Sequence, residues 1–459
     1  MATDEAGVAT ESDLERTVGF VGALTIGVGT MIGAGIFVFP GLAAGRAGPA
    51  ASVSFAIGAV IALLVALPTA ELATAMPKSG GGYYFVSRSM GALAGAIVGI
   101  GLCFGLLFAS AFYLVGLGEY ALTTLLEAGV VETERATVGP FPLAVFAGGA
   151  AGLLLTAVSI SGTEHTESIQ NAVVGVLLAI LAVLLSVSAL DVVGIRGDPS
   201  LPAAFAPRGF GPVLTTAALV FTSYLGFAQI ATVAEDVVEP DRTLPRSMVG
   251  SVLLVGILYV VTILIAASTF DPGTIAGMGE TAIVEVARAY LGSIGVLGIL
   301  VGGLLATLSS ANASILGASR VIYALSSDAL APPAGARLSR KYGTPHFALS
   351  FVGGVAVLLV GSGRTEILAE VASFLHLVMY GLICVSLLVL RRSDPDWYDP
   401  SFESPGSPLV PALGAVASFG LTAFMQPLSQ LLGAVVVAGA AVWYYVHGAE
   451  TSLKGALES

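Results

Sequence analysis

The chain has 459 residues, 56% of them hydrophobic and 10% charged, with a net charge of −12 and a mean hydropathy of +0.93. So little charge excludes a soluble globular protein of this size, and the acidic balance argues against a nucleic-acid partner. Apolar runs of about 20 residues recur from end to end, each able to cross about 30 Å of hydrocarbon. The chain reads as a multi-pass protein whose surroundings are membrane lipid.

Twelve spans are predicted in order: 18–43, 49–75, 92–126, 141–160, 168–190, 212–237, 246–269, 283–325, 346–361, 366–390, 408–426 and 430–447. The third and eighth exceed the crossing length and read as tilted or as reaching beyond the bilayer. The ninth is short. With both termini inside, twelve Lys and Arg residues fall on the inner side, among them Arg16, Lys78, Arg88, Arg320, Arg340, Arg391 and Lys454. Six fall outside: Arg46, Arg135, Arg196, Arg208, Arg288 and Arg364. That imbalance places both termini in the cytoplasm.

The N-terminal tail, with Asp4, Glu5, Glu11, Asp13 and Glu15, is acidic and polar. It does not read as a secretory signal, so the first apolar segment is expected to stay as a membrane helix. Three lysines accompany fifteen arginines. An acidic, lysine-poor polar surface suits a salt-rich cytosol, where screening removes carboxylate repulsion. GC-rich codon usage produces the same bias, and both readings stay open. A prokaryotic plasma membrane is the expected location. Cys103 and Cys384 lie singly in apolar segments and read as small packing residues.

The organisation expected is an acidic tail over 1–15, a ten-helix core over 16–393, a polar loop with two further helices over 394–447, and a second tail over 448–459. Spans one and six each carry an interruption, Gly29-Thr-Met-Ile-Gly-Ala-Gly-Ile-Phe37 and Phe221-Thr-Ser-Tyr-Leu-Gly-Phe227. Breaks five spans apart are what two inverted five-helix repeats produce, with a substrate between them. Close helix packing through small residues is the other reading of each break.

Four stretches carry a resemblance: GVGTMIGAGIFVFPG in span one, Glu71–Gly91 (ELATAMPKSGGGYYFVSRSMG), Ser223–Ser247 (SYLGFAQIATVAEDVVEPDRTLPRS) and Asn312–Pro333 (NASILGASRVIYALSSDALAPP). The chain resembles the amino acid–polyamine–organocation family of permeases over about residues 15–450. Pro77-Lys-Ser-Gly-Gly-Gly-Tyr83 and Ala234-Glu-Asp236 with Glu239-Pro240 are the most specific pieces. The resemblance implies an all-α membrane protein of about twelve helices in the leucine-transporter-type fold. That fold is a five-plus-five inverted repeat with spans one and six broken, here followed by two extra helices.

In span one the first half-helix is expected to end near Thr30 and the second to begin around Gly35. Amides at Gly33, Ala34 and Gly35 then suit a carboxylate at a helix N-terminus, which is where the family holds its substrate carboxylate. Ala34 lacks the serine hydroxyl of some relatives. The family's ammonium partners correspond to the backbone at Met31, Thr222 and Leu225. Tyr224 is expected to line the site, with Phe221 and Phe227 around it. Ala228 stands where relatives with cationic substrates carry a glutamate, which implies a neutral amino acid.

The coupling ion is sodium or a proton. The span-five lysine of some proton-coupled relatives corresponds to about Leu177. Thr307, Ser309 and Ser310, with carbonyls of Gly29 and Ile32, match the position where sodium-coupled members of the broader fold bind the ion, and oxygen ligands suit a hard cation. Beyond that ion no cofactor is implied.

Among ionisable residues, Glu119 reads as a surface group and Glu164, His165 and Glu167 as a solvated loop. His376 in span ten is either a hydrogen-bonded bundle residue or a proton relay. The four histidines (His165, His346, His376, His447) are scattered, and no H-E-x-x-H, G-x-S-x-G or G-x-x-x-x-G-K-[ST] pattern occurs. An enzyme or ATP-driven pump is therefore not expected. The expected function is a secondary transporter of neutral amino acids, with an amino acid exchanger or a transporter-like sensor as alternatives.

Overall fold

A computed structural model describes residues 18–78, 80–133, 135–162, 167–195, 202, 204–339 and 341–448. Both terminal tails, with Arg16 and Lys454, lie outside the described residues, as do Glu164, His165, Arg196, Arg340 and the side chains of Ala34 and Glu167.

Span one is α1 (Phe20–Phe37) followed by α2 (Phe39–Ala47), and span two is α3 (Ala51–Ala75). After α4 (Gly81–Met90), span three is α5 (Ala92–Glu127). A small hairpin of β1 (Thr137–Val138) antiparallel to β2 (Phe141–Pro142) leads into α6 (Leu143–Ile160) and α7 (Glu167–Val192). Span six comprises α8 (Gly211–Val220), a 3-10 turn over Phe221–Tyr224 and α9 (Gly226–Thr232). Then come α10 (Pro240–Thr269), the short α11 (Pro272–Met278), α12 (Ala282–Ser327), α13 (His346–Val360), α14 (Thr365–Ser393), α15 (Leu409–Thr422) and α16 (Pro427–Trp443). Ten of these described segments are long and apolar enough to cross a membrane; α13 and α15 are shorter apolar helices.

The excess length of span eight has a different cause from tilt. Gly292 sits at φ 62°, ψ −148°, and divides α12 into two helices. Only glycine adopts that conformation without strain.

The packing follows the repeat. Span one (α1) packs on span seven (α10) and span five (α7), while span six (α8) packs on span two (α3) and span ten (α14). Adding five to the span numbers, cyclically over ten, turns the first pair of contacts into the second. Span three (α5) packs on span eight (α12), a contact that maps onto itself. The two extra helices lie against spans two, three and ten.

The polar loop before the extra helices is tied to the core by one carboxylate. Glu71 in α3 is fully buried and accepts from Arg391 Nε at 2.8 Å and Nη2 at 2.6 Å, Tyr398 Oη at 2.9 Å and Ser404 N at 2.7 Å. A buried carboxylate is tolerable only when paired and hydrogen-bonded in this way. Burial and the neighbouring Glu71 charge push the Tyr398 phenol up from its usual range, so it stays a donor.

Spans one and six meet backbone to backbone. A Cβ at Gly226 would lie 2.4 Å from the Gly27 carbonyl oxygen and 2.9 Å from Met31 N. Neither main-chain atom can swing aside, so Gly226→Ala should lower stability by about 1–3 kcal/mol through overpacking. Thermal unfolding in detergent measures this, and an unchanged midpoint would contradict the packing described.

Candidate substrate site

Span one breaks at Gly33, with φ −33° and ψ −127°, outside the regions open to residues with side chains. The break lies inside the expected motif, but the helix runs on past Thr30 to Ile32 and resumes at once. Thr30 is therefore helical, and its hydroxyl bonds back to Ile26 O at 2.8 Å. The span-six break is milder. Over Phe221–Tyr224 the chain tightens into a 3-10 turn whose flanking residues stay right-handed, so the α-helical bonding pattern is interrupted without a reversal.

Groups freed by the breaks are met by side chains from other spans. The Tyr259 hydroxyl, from α10, donates to Met31 O and lies 3.2 Å from Ser223 O, so it bridges the two breaks. Thr222 N donates to Ser373 Oγ at 2.9 Å. Tyr380 Oη lies 3.4 Å from Leu225 O, and Tyr120 Oη donates to Phe37 O at 2.7 Å. Nine buried hydroxyls among the described residues have no partner, and three of them are Thr222 Oγ1, Ser223 Oγ and Ser310 Oγ at the breaks. Each of these three sits on or beside a break, since a Cβ at Gly33 would fall 1.9 Å from Ser310 Oγ and one at Gly35 3.0 Å from Ser223 Cβ.

Below the breaks lies a cavity of about 700 Å³. Its deep end is lined by Thr30, Leu225, Ala228, Gln229, His376 and Tyr380, and its mouth by Arg88, Arg320 and Asp328. The mouth is at the end of the bundle that carries the motif loop. There Tyr83 Oη donates to Asp328 at 2.5 Å, and Lys78 lies 4.0 Å from Glu235. Thus the two most specific sequence pieces, one after span two and one after span six, touch. Val18 also pairs with the span-six exit, its N–H donating to Asp236 O at 2.9 Å and its C=O accepting from Val238 N at 2.9 Å. At the opposite end Arg46, in α2, holds Glu366 and Glu370 of α14, with Nε 3.1 Å from Glu366 and Nη1 3.4 Å from Glu370. Glu370 is 1% exposed and also accepts from Gln426 N at 3.0 Å and Nε2 at 3.1 Å.

The expected site residues are thereby placed. Met31, Gly33, Gly35, Thr222 and Leu225 converge on the two breaks, with Leu225 also reaching the cavity. Tyr224 turns away from it: the ring is fully buried against Gly58, and the hydroxyl donates to Phe55 O at 2.8 Å. Phe221 and Phe227 are buried around Tyr380. Beside Gly35 the space is taken by Tyr259, whose hydroxyl oxygen would be 1.9 Å from an added Cβ. Of the expected ion ligands, Gly29 and Ile32 are buried and Ser309 is half-buried. Thr307 donates to Gly303 O at 2.6 Å, which leaves its lone pairs free, and Ser310 is one of the unmatched hydroxyls. Leu177 is buried and packs beside Gly302 of span eight. Tyr259, Ser373 and Tyr380 were not expected here. A lone tyrosine or serine inside an apolar span carries no local signal, and only its partner on a distant helix gives it a role.

A profile of the amino acid permease family matches residues 18–449. The chain belongs to that family. It is similar to the branched-chain amino acid permease BcaP of Bacillus subtilis (strain 168), 30% identical over 415 residues, covering 89% of this chain and 88% of BcaP. The methylthioribose transporter of the same strain is 27% identical over 447 residues, covering 96% of this chain and 95% of that protein. The serine/threonine exchanger SteT, also from that strain, is 26% identical over 461 residues, covering 95% and 97%. This permease is accordingly a multi-pass membrane transporter with bacterial relatives and not an enzyme.

Proposed function

We propose that this permease is a secondary active transporter of neutral amino acids, working by alternating access around the breaks in spans one and six. The observation that carries the reading is that three of the nine unmatched buried hydroxyls, Thr222, Ser223 and Ser310, gather at the two breaks, next to a cavity that Thr30 and Leu225 line. Unpartnered buried polar groups that cluster at helix breaks beside a cavity favour a polar ligand there. The helix restart after Gly33 offers amides suited to a carboxylate. The Met31 and Leu225 carbonyls, each with one tyrosine hydroxyl on it, keep a second lone pair that with Thr222 O suits an ammonium.

The deep lining supports a neutral side chain: the charged lining residues, Arg88, Arg320 and Asp328, are all at the mouth, and Ala228 supplies no counter-charge. With the arginine-rich side cytoplasmic, the open mouth and the Arg46–Glu366–Glu370 closure describe the inward-facing half of the cycle. Driving force comes from sodium, through Ser310, Thr307 and the Gly29 and Ile32 carbonyls, or from a proton. Exchange is a second reading, favoured by the likeness to an exchanger.

The test is uptake of labelled neutral amino acids into proteoliposomes under a sodium gradient, under a proton gradient, and with amino acid preloaded and no gradient. Uptake in either gradient arm is expected. Uptake confined to the preloaded arm would replace symport by exchange, and binding without uptake in any arm would replace transport by sensing.

A further inference from the structure

We infer that His376 forms a side-chain subsite at the deep end of the cavity, and that this subsite takes a hydrogen-bond donor, a hydroxyl, on the side chain of the transported amino acid. The inference rests on the amino acid reading above and narrows it to a substrate class.

His376 lies in mid-span ten, 1% exposed, in the cavity wall. Its Nδ1 is 2.7 Å from Ala372 O, one turn back in the same helix. A carbonyl oxygen can only accept, so Nδ1 carries the proton, and in the neutral ring Nε2 is left as an acceptor. The ring is held in place. Its Cε1–Nδ1 edge lies against Gly105 of α5, where an added Cβ would fall 2.7 Å and 2.8 Å from those atoms. The ring also makes an edge-type contact with Tyr380, centroids 6.1 Å apart and planes at 60°. Ala372 O is the ring's hydrogen-bond partner among the described residues, which leaves Nε2 to meet a ligand in the cavity that His376 lines.

The surroundings make that acceptor count. Leu102, Leu106, Leu225 and Met379 share the same part of the wall. Thr30 and Gln229 are the other polar side chains at this end beside Tyr380. An acceptor set among these leucines is costly to leave unmet once water is displaced, so a site built this way favours a ligand that brings a donor. The main-chain ammonium and carboxylate of the substrate belong with the backbone breaks. Tyr380, one turn after His376, reaches the Leu225 carbonyl on the span-six break. A substrate anchored at the breaks therefore lays its side chain down the cavity toward His376.

Threonine and valine test this, because they are nearly isosteric and differ by a hydroxyl for a methyl. Competition of each against a labelled neutral amino acid should show wild-type preferring threonine by about tenfold or more, the ratio one hydrogen bond in an apolar site supports. His376→Phe should erase that ratio while still binding valine. His376→Gln, which keeps an acceptor, should retain part of it. Absence of a threonine preference in wild-type, or its persistence in His376→Phe, overturns the subsite while the transport reading stands. A wild-type protein that binds no amino acid in the same assay overturns the underlying reading, and the subsite with it.

Discussion

Tyr259→Phe is expected to slow amino acid uptake by about tenfold or more while leaving the helix bundle folded. The ring is retained, so its contacts with Tyr224 and Phe55, at centroid distances of 5.3 Å and 5.0 Å, survive. What is lost is the one hydroxyl that joins Met31 O of span one to Ser223 O of span six. An orphaned buried acceptor costs about 1–3 kcal/mol. If that cost falls unequally on the two states of the cycle, about 1.4 kcal/mol is already a factor of ten in their ratio. Initial uptake rates and thermal midpoints, measured side by side, separate the effects. A normal uptake rate would show that the bridge between the breaks has no part in the cycle.

Arg391→Ala is expected to produce the largest loss of stability. It removes two of the four donors to Glu71 and strands a carboxylate that is fully buried. Removing one partner of a buried pair costs about 3–5 kcal/mol. The loop that positions α15 and α16 is held by the same carboxylate through Tyr398 and Ser404, so those helices should loosen from the core with it. Replacing both partners, as Glu71→Gln with Arg391→Met, should recover much of the loss, because no charge is then left unpaired. Thermal unfolding of the single and double variants checks this; equal stability of wild-type and Arg391→Ala would refute the role assigned to Glu71.

The number and order of spans were legible because a bilayer imposes one length and one polarity on every crossing segment. The positions of the breaks were legible too, since Gly33 and the Phe221–Phe227 stretch interrupt apolar runs at matching places. Long-range pairings were not. Glu71 and Arg391 are 320 residues apart, as are Arg46 and Glu366, and no spacing rule connects them. Tyr259 is silent for the same reason. Gly292 was visible as a residue but not as a break, because φ is a property of the folded chain. Glycine has two meanings here: Gly33 is the break itself, whereas Gly35 makes room for the Tyr259 hydroxyl. A bulky residue at Gly35 would therefore test packing before it tested ligand binding.

The most direct test of the central claim, that an amino acid binds where the two breaks meet, is ligand protection of a thiol at that point. Thr30→Cys, in a background where the buried Cys103 and Cys384 are replaced, puts a reactive group on the cavity wall next to Met31. Its rate of reaction with a maleimide should fall about tenfold at a neutral amino acid concentration ten times the dissociation constant, as site occupancy requires. An unchanged rate under conditions where the same amino acid is shown to bind would place the ligand elsewhere and contradict the account.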